Sequence, residues 1–272
     1  MKKKVYVLII SLITIACIVI GSMHHMGGFM DGGFNFFGGK TKNIAEDVEI
    51  GEFSSIDIES NIMDIEINKG DSFKCHYECN KEKLVPKVSI DNGVLKVTQK
   101  NSGGWSFFGS NNKCKIMITV PDGKSLAGIK IKTDVGDLNM SDIVTEKFDL
   151  ESDTGDAIIK NSNLGGTKID TDTGDITVSG SVMADVKLIC DTGDVKTTDT
   201  TMAGIDIDSD TGDISIKGGI KVAAYNVSIS TDTGDIFING DDQGDKCSMN
   251  ATEGDGLTMK ISTDTGDVTV SE

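Results

Sequence analysis

The chain has 272 residues, of which 43 are acidic and 26 basic, so its formal net charge is −17. Every basic residue is a lysine, because the sequence contains no arginine. A surface this acidic, without guanidinium groups that grip phosphate at two points, argues against nucleic acid as a partner. Cationic partners, or solubility alone, are compatible with the charge.

The N-terminal segment has the features of a membrane anchor. Residues 1–4 include three lysines, and residues 5–23 follow without a charge. As a helix this apolar run is about 28 Å long, close to the hydrocarbon thickness of a bilayer, and the lysines place its start in the cytoplasm. The sequence therefore predicts one uncleaved transmembrane helix in the cell membrane, with an extracellular C-terminal domain. A cleaved secretory signal is the alternative.

Composition divides the chain into four segments. The cytoplasmic start and anchor at 1–23 lead into a Gly/Phe-rich spacer at 24–43, then irregular β coils at 44–126 and regular repeats at 127–272. Glycine-rich stretches do not form regular structure by themselves, so the spacer is expected to link rather than to fold.

Two local patterns stand out in the irregular segment. Met63 and Asp64 occupy the place that Gly-Asp takes in later repeats, which indicates a decayed copy. Residues 88–97 alternate in polarity around Asn92-Gly93, a pair that favours a tight hairpin turn.

A polar loop at 101–112 carries Trp105, Phe107 and Phe108. Aromatic residues on a long loop either cover the end of a core or form an exposed contact site. These three are therefore candidate partner-binding residues.

One motif recurs through the second half of the chain. Asp-(Thr/Val)-Gly-Asp occurs seven times, and the first five copies are spaced by 19 residues. A fixed period of this size is typical of a solenoid, in which each coil buries its apolar face against its neighbours. Apolar residues alternate on both sides of each motif, which predicts two strands per coil. A further apolar position at Leu164, Met183 and Met202 predicts a third side.

The sequence therefore predicts an all-β fold, a β-helix-like solenoid of stacked 19-residue coils, preceded by one transmembrane helix. The turn chemistry supports coils over hairpins. Thr or Val followed by Gly suits a type II turn, whereas the primed turns of tight hairpins would force Thr or Val to positive φ. Because little sequence follows the last motif, we expect a C-terminal end without a long cap.

Stacking coils about 4.8 Å apart would line up the motif aspartates in two columns. Carboxylates at that distance repel each other by about 1 kcal/mol in water. The aspartates either accept backbone hydrogen bonds at exposed turns or hold Ca²⁺ through oxygen ligands. The second interpretation makes a Ca²⁺-dependent binding module the alternative function. Its candidate ligands are Asp153, Asp156, Asp172, Asp175, Asp191, Asp194, Asp210, Asp213, Asp232 and Asp235.

Five cysteines lie outside the anchor, an odd number that cannot pair completely within one chain. Cys75, Tyr77 and Cys79 alternate with polar residues, as expected for one buried face of a strand. Along a strand Cys75 and Cys79 are about 13 Å apart, too far to bridge each other. Pairing of either one with Cys114 stays open.

The triplet Asp-Thr-Gly also occurs in aspartic proteases, where one pair of carboxylates shares a proton in a closed cleft. Here it recurs at a structural period, which favours a turn. The sequence contains no nucleophile elbow, phosphate loop or zinc-ligand spacing. We therefore expect no enzymatic activity and no cofactor other than the Ca²⁺ considered above.

The anchor, the Gly/Phe spacer, the strand ending in Val120-Pro121 and the serial Gly-Asp-Ile-x-Ile coils together resemble a known family. It is the putative-adhesin family of bacterial cell-envelope proteins, which includes a membrane-anchored component of the Lia envelope-stress operon of bacilli. The likeness covers residues 45–272. It implies an all-β ectodomain without known enzymatic activity and a link to adhesion or envelope stress, but it assigns no binding residues. We therefore expect a scaffold or interaction module for an unknown envelope protein or cell-surface ligand.

Overall fold

The computed structural model describes residues 43–99, 112–254 and 256–272. The predicted transmembrane helix and residues 24–42 of the spacer lie outside the described residues, as do Trp105, Phe107 and Phe108. Within the described ranges, no helix has the length and apolar character needed to cross a bilayer.

The described chain forms two β-sheets of 12 and 11 strands, with short 3-10 turns at Glu82–Leu84 and Val222–Ala224. The all-β prediction is therefore confirmed. The first strands are β1 (Ile44–Val48), β2 (Ser55–Ile62), β3 (Asp64–Gly70), β4 (Lys74–Cys79), β5 (Lys87–Asp91), β6 (Val94–Thr98), β7 (Cys114–Pro121), β8 (Gly128–Val135), β9 (Leu138–Ser141), β10 (Val144–Thr154), β11 (Ala157–Lys160) and β12 (Asn163–Thr173). The remaining strands are β13 (Ile176–Ser179), β14 (Val182–Thr192), β15 (Val195–Thr198), β16 (Thr201–Thr211), β17 (Ile214–Lys217), β18 (Tyr225–Thr233), β19 (Ile236–Ile238), β20 (Asp241–Asp242), β21 (Lys246–Met249), β22 (Leu257–Thr265) and β23 (Val268–Ser271).

Each regular coil consists of one long and one short strand. The long strands β10, β12, β14 and β16 have 11 residues each and lie in the 11-stranded sheet. The short strands β11, β13, β15 and β17 have four residues each and lie in the 12-stranded sheet. Neighbouring coils pair in parallel one repeat apart, so that Ile169 lies beside Leu150 and Leu188. The predicted stack of coils is confirmed.

The predicted third side of each coil is wrong. Leu164, Met183 and Met202 are buried, but each lies near the start of a long strand instead of forming a strand of its own. In β12 the pairing register shifts around Gly166, which interrupts the alternation along the strand. One irregular strand can therefore carry both this early apolar residue and the alternating apolar residues before the motif. The core is a single layer between two sheets.

A continuous apolar core runs through the whole stack between the sheets. Phe148, Ile169 and Ile207 are at most 1% exposed, as strict alternation before the motif predicts. Full burial of an Ile or Leu side chain contributes about 1.5–3 kcal/mol relative to exposure. The stack therefore depends on neighbouring coils, each of which covers the next.

The coils at both ends are out of chain order. The coil of β2 and β3 lies between β6–β7 on one side and β8–β9 on the other. The coil of β22 and β23 lies between β16–β17 and β18–β19. Antiparallel pairing of β20 with β19 and of β21 with β18 closes the C-terminal end of the stack. The cap at this end is short, two residues in β20 and four in β21, and it precedes the last coil in the chain.

Cys79 and Cys114 face each other on antiparallel β4 and β7 and form a disulfide with a Cα–Cα distance of 4.1 Å. This settles the pairing that the sequence left open. Cys75, Cys190 and Cys247 are free and buried. Burial raises the pKa of Cys75 and of Cys190 to about 11, so both thiols are neutral at physiological pH.

Candidate functional site

The motif corner, defined as the Asp-(Thr/Val)-Gly-Asp residues of the seven copies, joins each long strand to the next short strand through a glycine. The φ angle of Gly174 is +143°, in a region essentially restricted to glycine. A Cβ atom on Gly174 would lie 2.1 Å from the carbonyl oxygen of Gly155 in the neighbouring coil. Positive φ was predicted, but the type II turn is wrong, since its glycine has φ near +80°. The extended glycine instead keeps its N–H in the ladder, donating to the Thr192 carbonyl at 3.0 Å.

The second aspartate of each motif takes part in a hydrogen-bonded ladder between coils. The Asp175 N–H donates to Asp156 Oδ1 at 2.9 Å, and Asp175 Oδ1 accepts from the Asp194 N–H at 2.9 Å. In spatial order the ladder contains Asp64, Asp137, Asp156, Asp175, Asp194, Asp213, Asp267 and Asp235. Each corner thus receives a charge-assisted hydrogen bond, which is stronger than a neutral one.

The first aspartates of the motifs lie in a separate column, in which all are exposed except the half-buried Asp134. Partial desolvation, followed by the carboxylates of Asp134 and Asp172, raises the pKa of Asp153 above its ordinary value. Desolvation, then Asp210 and Asp172, does the same to the pKa of Asp191. At these two positions, repulsion from neighbouring carboxylates thus adds to the larger effect of desolvation.

A ladder carboxylate behaves in the opposite way. The hydrogen bond from Lys196, and next the one from the Asp213 N–H, lower the pKa of Asp194. Lys196 Nζ lies 2.8 Å from Asp194 Oδ2. Asp194 is therefore stabilised in its ionised form, chiefly by Lys196 and next by the hydrogen bond of the ladder.

The structure brings all ten predicted cation ligands to one edge of the stack, five in each column. Four of the five in the ladder accept a backbone hydrogen bond from the neighbouring coil, and the fifth, Asp235, donates its N–H to Asp267. In the part of the chain that the structure describes, no three His, Cys, Asp or Glu side chains are grouped so that they could hold a metal ion. Direct contacts therefore support the interpretation that the motif aspartates accept backbone hydrogen bonds.

The outer face of the 12-stranded sheet carries an acid-free strip that the sequence analysis missed. Its six adjacent strands are β9, β11, β13, β15, β17 and β23, in which neighbours pair in register. The outward residues are Asn139, Ser141, Ile158, Lys160, Thr177, Ser179, Lys196, Thr198, Ser215, Lys217, Thr269 and Ser271. The signal that could have found the strip is the absence of acid at the alternate positions after each motif.

The outer face of the 11-stranded sheet has mixed charge instead. Lys130 lies beside Asp57 on one neighbouring strand and Asp149 on the other. Asp206 likewise lies between Lys187 and Lys260. Opposite charges in cross-strand pairs are mildly stabilising, so this face is close to neutral. Most of the net charge therefore resides at the motif corner, where seven copies with two aspartates each carry 14 carboxylates.

The N-terminal end of the stack has a cavity of about 480 Å³ beside the disulfide, lined in part by Asp64, Lys113 and Lys115. The neighbouring strand β1 is held by side-chain contacts as well as by its strand pairing with β4. The Tyr77 hydroxyl donates to Glu46, which together with burial raises the pKa of Tyr77 to about 12. These contacts fix β1, the first described strand, to β4.

Comparison with known proteins identifies relatives of this architecture. The family model described as Toastrack DUF4097 matches residues 53–258. A putative adhesin from Bacteroides fragilis NCTC 9343 has a TM-score of 0.52 and 16% identity, over 85% of this chain and 96% of that one. A putative cell adhesion protein from Clostridium sporogenes ATCC 15579 has a TM-score of 0.37 and 13% identity, over 85% and 98% of the two chains. None of the curated proteins matches this chain. The resemblance found in the sequence is confirmed, and the first of these structures supports the fold.

The two aspartate columns predict opposite mutational effects. We expect Asp175→Ala to lower the free energy of unfolding by about 1–3 kcal/mol, because the Asp194 N–H loses a charged acceptor. Asp175→Asn keeps an acceptor oxygen and should restore most of the loss. Asp172→Ala, the matched control in the outer column, should be neutral or slightly stabilising because it removes repulsion. Urea unfolding of the three variants checks this; equal losses at positions 172 and 175 would contradict the ladder.

The pKa shifts also predict a maximum in stability at mildly acidic pH. Asp153 and Asp191 have raised pKa values, so the folded state binds their protons more tightly and gains stability as the pH falls towards about 4. Asp194 has a lowered pKa, so its contribution is present above about pH 4 and is lost as the pH falls further. In thermal melts, the melting midpoint should therefore first rise and then fall as the pH is lowered from 7 to 2.5. Asp153→Asn combined with Asp191→Asn should flatten the rise, and a steady fall from pH 7 in the wild type would contradict it.

Proposed function

This chain belongs to the Toastrack DUF4097 family, and we propose that it is a non-enzymatic interaction module of the cell envelope. In this proposal residues 5–23 anchor it in the cell membrane and the β-stack lies outside the cell, where it binds an envelope protein or cell-surface ligand. The family resemblance adds to this proposal a scaffold role in adhesion or envelope stress.

The observation that carries the proposal is the repetition of surface chemistry along the stack. Successive strands present hydroxyl and lysine side chains in register, so that Thr177 lies beside Lys196 and Lys196 beside Ser215. Strands in a sheet are about 4.8 Å apart, so the six strands of the acid-free strip offer a repeating surface about 24 Å long. Such a surface suits an extended partner better than it suits one small substrate, which needs a unique set of converging groups.

The disulfide supports the extracellular position. Disulfides form and persist in oxidising compartments and are rare in the cytosol. Cys79 and Cys114 are both 3% exposed, so the bond between β4 and β7 is shielded from solvent.

Location and binding can be tested in the same cells. We expect the full-length protein in the membrane fraction, with its lysines labelled by a membrane-impermeant amine reagent, and a variant lacking residues 1–23 in the soluble fraction. A protein that stays unlabelled in intact cells contradicts the location.

Cross-linking in intact cells tests the partner-binding residues. Combined replacement of Trp105, Phe107 and Phe108 by Ala should reduce the amount of cross-linked products. The control Phe237→Ala, which removes an aromatic ring from β19 of the 12-stranded sheet, should not. If the two variants give the same cross-linked products in the same amounts, the aromatic loop is not the partner-binding site.

A Ca²⁺-dependent binding module is the second candidate. Desolvation, and next the neighbouring carboxylates, raise the pKa of Asp153 and Asp191, and a bound cation would relieve the repulsion from those carboxylates. Binding to the folded form must raise the melting midpoint. The test is a thermal melt in millimolar Ca²⁺ against NaCl of equal ionic strength; an equal midpoint in both salts excludes specific binding.

A further inference from the structure

The coil of β22 and β23, called the terminal coil, fills a slot between two coils that precede it in the chain. The wall on one side is the coil of β16 and β17, and the other wall is the outer coil of β18 and β19. The four core side chains Met259, Ile261, Val268 and Val270 are at most 1% exposed. A segment near the end of the sequence is thus buried inside the stack.

Both walls of the slot recognise the terminal coil through the same contacts that join the regular coils. The Gly212 N–H donates to the Thr265 carbonyl, and the Gly266 N–H donates to the Thr233 carbonyl, both at 2.9 Å. The Asp267 N–H donates to Asp213 Oδ1, and Asp267 Oδ1 accepts from the Asp235 N–H, again both at 2.9 Å. The slot is therefore specific for a coil that carries the motif.

The connections on either side of the slot are longer than those in the regular stack. Two residues, 161–162, join β11 to β12, whereas seven residues, 218–224, join β17 to β18. Another seven residues, 250–256, join β21 to the terminal coil, and they include Gly254 and Gly256 at positive φ. The change in backbone conformation that frees the terminal coil can therefore be confined to its connection, while its contacts with both walls break and form again.

The wall coils also match each other. Ser209, Gly212 and Asp213 on one wall occupy the same motif positions as Thr231, Gly234 and Asp235 on the other. When the terminal coil leaves, the outer coil loses its strand pairing to the regular stack, and it stays tied to that stack by residues 218–224 and by the hydrogen bond from the Tyr225 hydroxyl to the Met202 carbonyl. Both walls keep the motif positions that make the slot complementary to any copy of the same coil. Exchange of an identical element between protomers is a low-cost route to a dimer, because it makes no new interface except at the connection.

We propose that the slot is an exchange site for the terminal coil of a second copy of this chain, residues 257–272. Two copies trade these residues, each slot is refilled by the partner's coil, and the pair is joined through residues 250–256. This self-association does not depend on the proposed envelope function.

A labelled peptide of residues 257–272, incubated with the full-length protein just below its melting midpoint, tests the slot. We expect the peptide to co-elute with the protein in size-exclusion chromatography. The matched control is the same peptide with Gly266→Ala, whose Cβ atom would lie 2.0 Å from the Gly212 carbonyl oxygen. Uptake of the control should be at least about tenfold lower. No uptake of either peptide, or equal uptake of both, overturns the proposal.

Native-state hydrogen exchange on the intact protein gives an independent readout. The amides of β22 and β23 should exchange together, at a lower opening free energy than those of β12 and β14. Exchange of the terminal coil only with global unfolding would show that the coil does not leave the slot, and it would overturn the proposal even if a peptide binds to the unfolded chain.

Discussion

Replacing Gly174 by Ala should lower the free energy of unfolding by about 4 kcal/mol or more, or prevent folding of the stack. The new Cβ atom would lie 2.1 Å from the Gly155 carbonyl oxygen, and the backbone would have to hold Ala at a φ of +143°. Neither conflict can relax locally, because the oxygen belongs to the backbone of the next coil.

Gly166→Ala is the matched control on the same strand. A Cβ atom there meets nothing within 4 Å, and the residue has no positive φ. We expect a change within about 1 kcal/mol. Urea unfolding of both variants checks the difference, and similar stabilities for the two would mean that the corner glycine does not fix the stacking distance.

Removing the disulfide should have the next largest effect. Cys79 and Cys114 are 35 residues apart in sequence, and a closed loop of that length corresponds to about 3–4 kcal/mol of stability in the chain-entropy model. We expect equilibrium unfolding of the wild type to shift to lower denaturant when a reductant is present. The double variant Cys79→Ala with Cys114→Ala should already be shifted and should not respond to reductant.

Cys247→Ala provides the control for loss of a buried sulfur. Cys247 is a free, buried thiol, so its variant should remain sensitive to reductant. A wild-type unfolding curve that is the same with and without reductant would contradict a stabilising disulfide.

The coil and its corner could be predicted because they depend on local patterns. Alternation before the motif gave the buried face, and Asn92 and Gly93 do form the hairpin turn between β5 and β6, with φ of 51° and 77°. The decayed copy at Met63 also holds, since the Met63 N–H donates to the Val135 carbonyl at 2.9 Å. These features follow from side-chain period and backbone freedom, both of which a sequence displays.

The order of the coils could not be predicted. The coils that carry the motif share its glycine and its second aspartate, so the sequence does not show which of these coils stack on each other. Only the longer connections at 218–224 and 250–256 distinguish the interleaved order from the sequential one, and the sequence alone shows them merely as a loosened period. The same repetition concealed the difference between the aspartate columns, because Asp172 and Asp175 differ in their contacts and not in their chemistry.

Hydrogen exchange at the corner amides tests most directly whether the motif builds the stack by itself. The N–H groups of Asp156, Asp175 and Asp194 donate to carboxylates of neighbouring coils, at distances of 3.0, 2.9 and 2.9 Å. We expect these amides to be protected about as strongly as the Ile169 amide in the core, in the absence of Ca²⁺. Exchange at the rate of an exposed loop, or protection that develops only after Ca²⁺ is added, would contradict the aspartate ladder and favour a cation site.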